Sequence, residues 1–237
     1  MTDYKISEDT INKQYLAVLD KAWSILQRGN DNYGNSVGKL PVLTSDLGIY
    51  TACEVRMSDK INRLWHLLNG GQDSVDDSVE DSLYDLANYC LLWIVIRMWC
   101  NERKEQEVPS DFLLGAVEKL FDGLRKIGVA DVYLEAYQKE TGQTFSIDLA
   151  KNPSKYEILS ELKTLTFYAE VQDKAIWFKN VIMTELNLML EHWRAWNGDS
   201  NQNMDKRIKI CEVVSHHIFT ILVLINDPYH KGSGLIE

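Results

Sequence analysis

Between Asp77 and Ile96 the chain changes character within one continuous stretch, and that change limits what it can fold into. Asp77, Asp81, Asp85 and Asn88 recur at steps of four, four and three, which on a helix places them on one face. Val79, Leu83, Leu86, Cys90 and Trp93 fall on roughly the opposite face. Two turns later the polar face continues as Leu92 and Val95 while the other continues as Trp93 and Ile94. A helix that is amphipathic at its start and apolar all round at its end belongs inside a bundle, with its acidic row running toward the interior. Only four prolines occur in 237 residues, which suits long unbroken helices. The expectation is an all-α, multi-helix bundle.

The rest of the chain reads the same way. Ile11, Tyr15, Val18, Leu19, Ala22 and Leu26 mark a helix over 10–28. The breaker cluster from Gly29 through Ser36 follows as a loop. A second helix is predicted over 45–69, capped by Ser45 or Asp46 and stopped by Asn69-Gly70-Gly71. The third is predicted from Asp73 or Ser74 to about Glu102, with Asp76 and Asp77 at its positive end. The charged break from Asn101 to Pro109 suggests a boundary, giving a helical region 1–105 and a second helical region 106–237. In the latter, helices are predicted over 112–127, 131–140, about 155–196 and about 204–226, with a short strand at 144–149. Both halves end in a helix that starts polar and becomes wholly apolar, Ser78–Ile96 and Met204–Ile225, a pattern compatible with a diverged duplication, although no clear internal repeat accompanies it.

Composition narrows the function. A net charge of −10 repels a phosphate backbone, so nucleic-acid binding is disfavoured. Small phosphorylated molecules remain compatible, because Mg²⁺ bridges carboxylates to phosphates. Cys53, Cys90, Cys100 and Cys211 have no metal-ligand spacing and read as buried free thiols. The polar start lacks a signal-peptide pattern, and the longest apolar run, Cys90 to Ile96, is too short for a bilayer. A cytoplasmic protein with no membrane partner is expected.

Three accounts fit the acidic row. Like charges one turn apart destabilise a bare helix, and burying them unpaired costs more. A divalent cation removes both penalties; so do salt bridges from another helix, and a solvated face avoids them. On the preceding helix, Met57, Ile61, Leu64, Trp65 and Leu68 form the apolar stripe, and Glu54 borders it as the inward carboxylate. Arg56, Asp59 and Arg63 share another face with Lys60 beside them. They read either as an exposed Arg–Asp–Arg cluster or as a metal ligand among phosphate clamps. His216 and His217 are adjacent and point about 100° apart, so they do not chelate one ion together.

Three pieces in this order, Asn30-Asp-Asn-Tyr-Gly-Asn-Ser, Glu54-Val-Arg-Met-Ser-Asp-Lys-Ile-Asn-Arg-Leu and Val79-Glu-Asp-Ser-Leu-Tyr-Asp-Leu-Ala-Asn-Tyr, resemble the nucleotide modification associated domain family of phages and bacteria. That family is similar to the all-α, MazG-like and dimeric dUTPase-type nucleotide pyrophosphohydrolases. The resemblance spans about residues 25–100. It implies a helical bundle, commonly a homo-oligomer, that takes a small-molecule nucleotide. It further implies Mg²⁺, or Mn²⁺ of similar chemistry, held by Asp59, Asp77, Asp81 and Asp85, with Glu54 added from the periodicity. Lys60 and Arg63 would meet phosphates. Asp31, Tyr33 and Gly34 would touch base or sugar, with Asn88 beside the site. Cleavage would give the monophosphate and pyrophosphate, with Asp81 or Asp85 orienting water and Glu80 or Glu54 taking the proton. The Glu-x-x-Glu pair of the pyrophosphohydrolases is not kept here: Glu54 is followed by Met57 and Ser58. That departure favours the alternative of a non-catalytic interaction or nucleotide-sensing protein.

Overall fold

A computed structural model describes residues 8–39, 48–71, 78–103, 107–129, 174–195 and 201–226. Among them are six α-helices: α1 (Glu8–Tyr33), α2 (Ile49–Leu68), α3 (Val79–Arg103), α4 (Ser110–Ile127), α5 (Lys174–Ala195) and α6 (Asn201–Ile225). A single 3-10 turn, Ser36–Gly38, follows α1. No strand occurs among the described residues. The expected helix over 131–140, the strand at 144–149 and the first half of the 155–196 helix lie outside them, as do Ser45, Asp46, Asp73, Ser74, Asp76 and Asp77.

α3 is the centre of the bundle and packs most extensively against α2 and α6. Every residue from Cys90 to Ile96 is buried, as the loss of a polar face in this stretch requires. α2 runs antiparallel to α3, since Lys60 meets Asp85 while Glu54 meets Trp93. α6 is antiparallel to α3 as well: Met204 sits at Asn101, Ser215 at Ala87 and Asn226 at Glu80. α1 and α4 complete the assembly through Trp23 on Phe121, Arg125 on Asp20 and Asn30 on Ser110.

One hydrophobic core runs through all six helices, joining Leu19, Leu64, Leu83, Trp93, Phe121, Phe178 and Phe219. The core thus draws on both of the helical regions expected from the sequence. α6, from the second region, covers α3 as extensively as α2 does. The helical stretch Asn203–Ile225 is long and apolar enough to cross a bilayer, although its unbroken apolar runs are shorter than Cys90 to Ile96. In the bundle 83% of its most apolar 18 residues are buried against protein, and this packing accounts for the composition.

Helix ends follow local chemistry. α2 stops where Gly70 turns to φ +82°, with Gly71 N–H donating to the His66 carbonyl and Gly70 N–H to that of Leu67. This is the paired closure that glycine at the first position past a helix permits. α3 starts at Val79, later than the expected Asp73 or Ser74, because Ser78 caps it. The Asp81 backbone N–H donates to Ser78 Oγ (3.1 Å), and the Ser78 N–H and hydroxyl donate back to Asp81 Oδ2 (3.2 and 2.9 Å). The result is a reciprocal capping box with aspartate in the usual glutamate position.

Candidate functional site

The two sequence pieces that carry the family resemblance face each other across α2 and α3. Lys60 Nζ lies 2.6 Å from Asp85 Oδ2, with both side chains partly shielded (21% and 33% exposed). α2 presents Lys60 because Met57, Ile61 and Leu64 are buried and rotate it to the rim of the seam. Asp85 sits between the buried Tyr84 and Leu86 on the matching rim of α3. A partly exposed pair of this kind contributes up to about 1 kcal/mol to stability.

The rest of the acidic row divides among separate contacts. Glu80 Oε1 accepts from Lys21 Nζ on α1 at 2.7 Å and from Asn226 Nδ2, one residue past α6, at 3.4 Å. Lys21 also lies 4.7 Å from the centre of the Tyr84 ring. Burial pushes the Tyr84 phenol upward in pKa, and the charges of Glu80 and Asp81 add to the push. Asp81 is the capping residue just described. Asn88 is buried and donates to the Ala22 carbonyl at 3.0 Å, holding α1 against α3. Salt bridges from neighbouring helices, one of the three accounts of the row, thus describe Asp85, and Glu80 beside the row is paired in the same way. Asp77 lies outside the described residues.

Glu54 points inward as its periodicity required, yet it meets aromatic and cationic groups. Its Oε1 accepts from Trp93 Nε1 at 3.1 Å and lies 3.8 Å from Arg207 Nη1 of α6. Arg207 stacks over Trp193 of α5 (4.8 Å), whose ring meets Trp93 edge-on at 4.9 Å. Glu54 is therefore the hub of a latch joining α2, α3, α5 and α6. Trp93 lies eight residues beyond Asp85, about 12 Å along the helix at ~1.5 Å per residue. Glu54 and the Asp81–Asp85 pair are thus not brought together around one ion. Asp59 and Arg56 are exposed on the outer face of α2, whereas Arg63 is partly buried. Among the described residues no group of three His, Cys, Asp or Glu is placed to hold a metal.

The loop piece forms a separate feature. Gly34 and Asn35 both take left-handed backbone (φ +58°). That turn lets Asn35 Nδ2 donate to the Val108 carbonyl (2.8 Å) while the Val108 N–H donates to the Gly38 carbonyl (2.8 Å). Gly38 fits here because a Cβ would fall 2.7 Å from Asn35 Oδ1. An open cleft of about 620 Å³ results, lined by Asn30, Asp31, Gly34, Asn35, Lys39 and the segment Glu107–Ser110. Of Tyr33, only its place at the end of α1 is described. Ser110 and Asn30 are bonded beside Phe112, which packs on Trp99 at 4.3 Å. Trp99 is 14 residues past Asp85, about 21 Å along α3 at ~1.5 Å per residue. Asp31 and Gly34 do not share a site with Lys60 and Asp85 in one copy of the chain.

Sequence reasoning missed the buried pair His217–Glu185. His217 Nδ1 lies 3.0 Å from Glu185 Oε1, linking α6 to α5 inside the core. The signal was present: Ser215, His216, His217 and Thr220 interrupt the otherwise apolar stretch 213–225, and buried polar groups need partners. No family model, curated protein or solved structure matches the chain.

Proposed function

We propose that this chain is a nucleotide pyrophosphohydrolase-like protein whose phosphate-handling centre is the α2–α3 seam at Lys60 and Asp85. One observation supports this reading above the others. The lysine of the Asp59-Lys60-Ile61-Asn62-Arg63-Leu64 piece and the aspartate of the Asp85-Leu86-Ala87-Asn88-Tyr89 piece, which the resemblance assigns to phosphate and to metal, are in direct contact. Lys60 is a compact point charge on a flexible stem, suited to exchanging a carboxylate for a phosphate oxygen. Arg63, one turn on, adds a planar donor fork. When Lys60 turns to the incoming phosphates, Asp85 is released.

Mg²⁺ is the cation this reading requires. It is held by one or two carboxylates together with substrate phosphates, so a three-carboxylate cradle is not demanded. Asp85 and Asp81, one turn apart on α3, are the protein groups that fit, and Asp81 would have to leave its cap on Ser78. Bound there, the cation would supply charge neutralisation on the phosphates and a more acidic water. Residues of the chain would hold and orient the nucleotide.

The test is to incubate purified protein with each deoxynucleoside triphosphate and Mg²⁺ and to measure pyrophosphate. Release by the wild type that falls at least tenfold in Asp85→Asn and Lys60→Ala supports the reading. No release by the wild type removes it. A second reading, a nucleotide sensor that binds without turnover, is favoured by the engagement of Asp81 in the helix cap and of Glu54 with Trp93. A nucleotide-dependent rise in melting temperature without product separates it from the enzyme, since ligand stabilisation follows mass action.

A further inference from the structure

Three of the four cysteines converge in the bundle although they are far apart in sequence. Cys53 on α2, Cys90 on α3 and Cys211 on α6 are each fully buried. The register fixes the meeting. Ser215 Oγ donates to the Ala87 carbonyl, and Asn101 reaches Met204, so antiparallel α6 brings Cys211 within a turn of Cys90. The Cys53 thiol faces the adjoining turn, donating to the Tyr89 carbonyl at 3.4 Å. Ser215 Oγ also donates to the Cys211 carbonyl (2.6 Å), so one hydroxyl ties the Cys211 turn of α6 to the turn of α3 that leads from Ala87 to Cys90.

We propose that Cys90 and Cys211 are an oxidative cross-linking site, which peroxide converts to a disulfide that ties α3 to α6. The chemistry balances in two steps. One thiol and hydrogen peroxide give a sulfenic acid and water; the second thiol then attacks that sulfur, forming the S–S bond and releasing a second water. Both sulfur atoms are oxidised and both oxygen atoms of the peroxide are reduced. Neighbouring thiols held in one place favour condensation over further oxidation, because the second step is intramolecular. Burial makes the first step slow, since the thiolate is the reactive form and is disfavoured in the core. The site therefore responds to sustained oxidant exposure or to partial opening of the α3–α6 interface.

The folded chain is treated with hydrogen peroxide over hours, blocked with N-ethylmaleimide, digested and analysed by mass spectrometry. The expected product joins the Cys90 and Cys211 peptides with loss of both thiol hydrogens. It persists in Cys53→Ala and Cys100→Ala, and it vanishes on reduction. Recovery of Cys90 and Cys211 as reduced thiols, as separate sulfinic acids, or in cross-links dominated by Cys53 or Cys100 would overturn the proposal. Because the deciding readout is on the unmodified sequence, a variant that fails to fold does not protect the idea.

Discussion

Acidification should destabilise this fold through His216. His216 is 4% exposed, its Nε2 lies 2.6 Å from the Gly128 carbonyl, and its ring stands edge-on to Tyr15. A carbonyl only accepts, so Nε2 carries the hydrogen. Burial first and the neighbouring His217 second bring the imidazole pKa down to about 4, against the opposing hydrogen bond to Gly128. In the unfolded chain the group titrates near 6.5. Between these values the unfolded state binds a proton that the folded state refuses, so stability falls as pH drops from about 6.5 toward 4. At ~1.36 kcal/mol per pH unit, the loss by pH 5 is about 2 kcal/mol, approaching 3 kcal/mol near pH 4. The assay is urea unfolding followed by tryptophan fluorescence at pH 7.5 and pH 5.0, for wild type and His216→Gln. Glutamine keeps an N–H for the Gly128 carbonyl but does not titrate. Wild type should lose about 2 kcal/mol more than the variant across that interval. Equal losses in the two proteins would refute the reasoning.

Two further outcomes follow from contacts described above. Asp81→Ala opens the capping box and should lower stability by about 0.5–2 kcal/mol in thermal or chemical melts, whether or not nucleotide is present. Glu54→Ala leaves the Trp93 N–H without its carboxylate partner and removes one partner of Arg207. It should cost about 1–3 kcal/mol, with Glu54→Gln recovering much of the loss because its carbonyl still accepts from Trp93.

The fold was legible where periodicity speaks directly. The all-round apolar end of α3 announced an inner helix, and Asn69-Gly70-Gly71 announced the end of α2. What periodicity does not contain is the rotation and register of one helix against another. Glu54 was correctly turned inward, but whether it met a cation, a carboxylate or an indole depended on where α2 stood along α3. The same missing register left open whether Asp85 faced a metal or Lys60. The start of α3 was misplaced for a local reason: Ser78-Val-Glu-Asp81 is itself a capping sequence, hidden within a run of acidic residues that looked functional. The loop resemblance joined Asp31 and Gly34 to residues about 21 Å away along α3, a separation that order along the chain does not encode.

The placement of α6 has a consequence for how the molecule is made. α3 is complete once Arg103 has been synthesised, but the helix that covers one of its faces is not finished until Ile225. About 120 residues must emerge in between, on the order of ten seconds of translation at ~5–20 residues per second. During that interval the side of α3 that carries Ala87 and Asn101 has no native cover. The nascent chain is then a client for chaperones, and a ribosome stalled anywhere in that stretch would leave an adhesive intermediate.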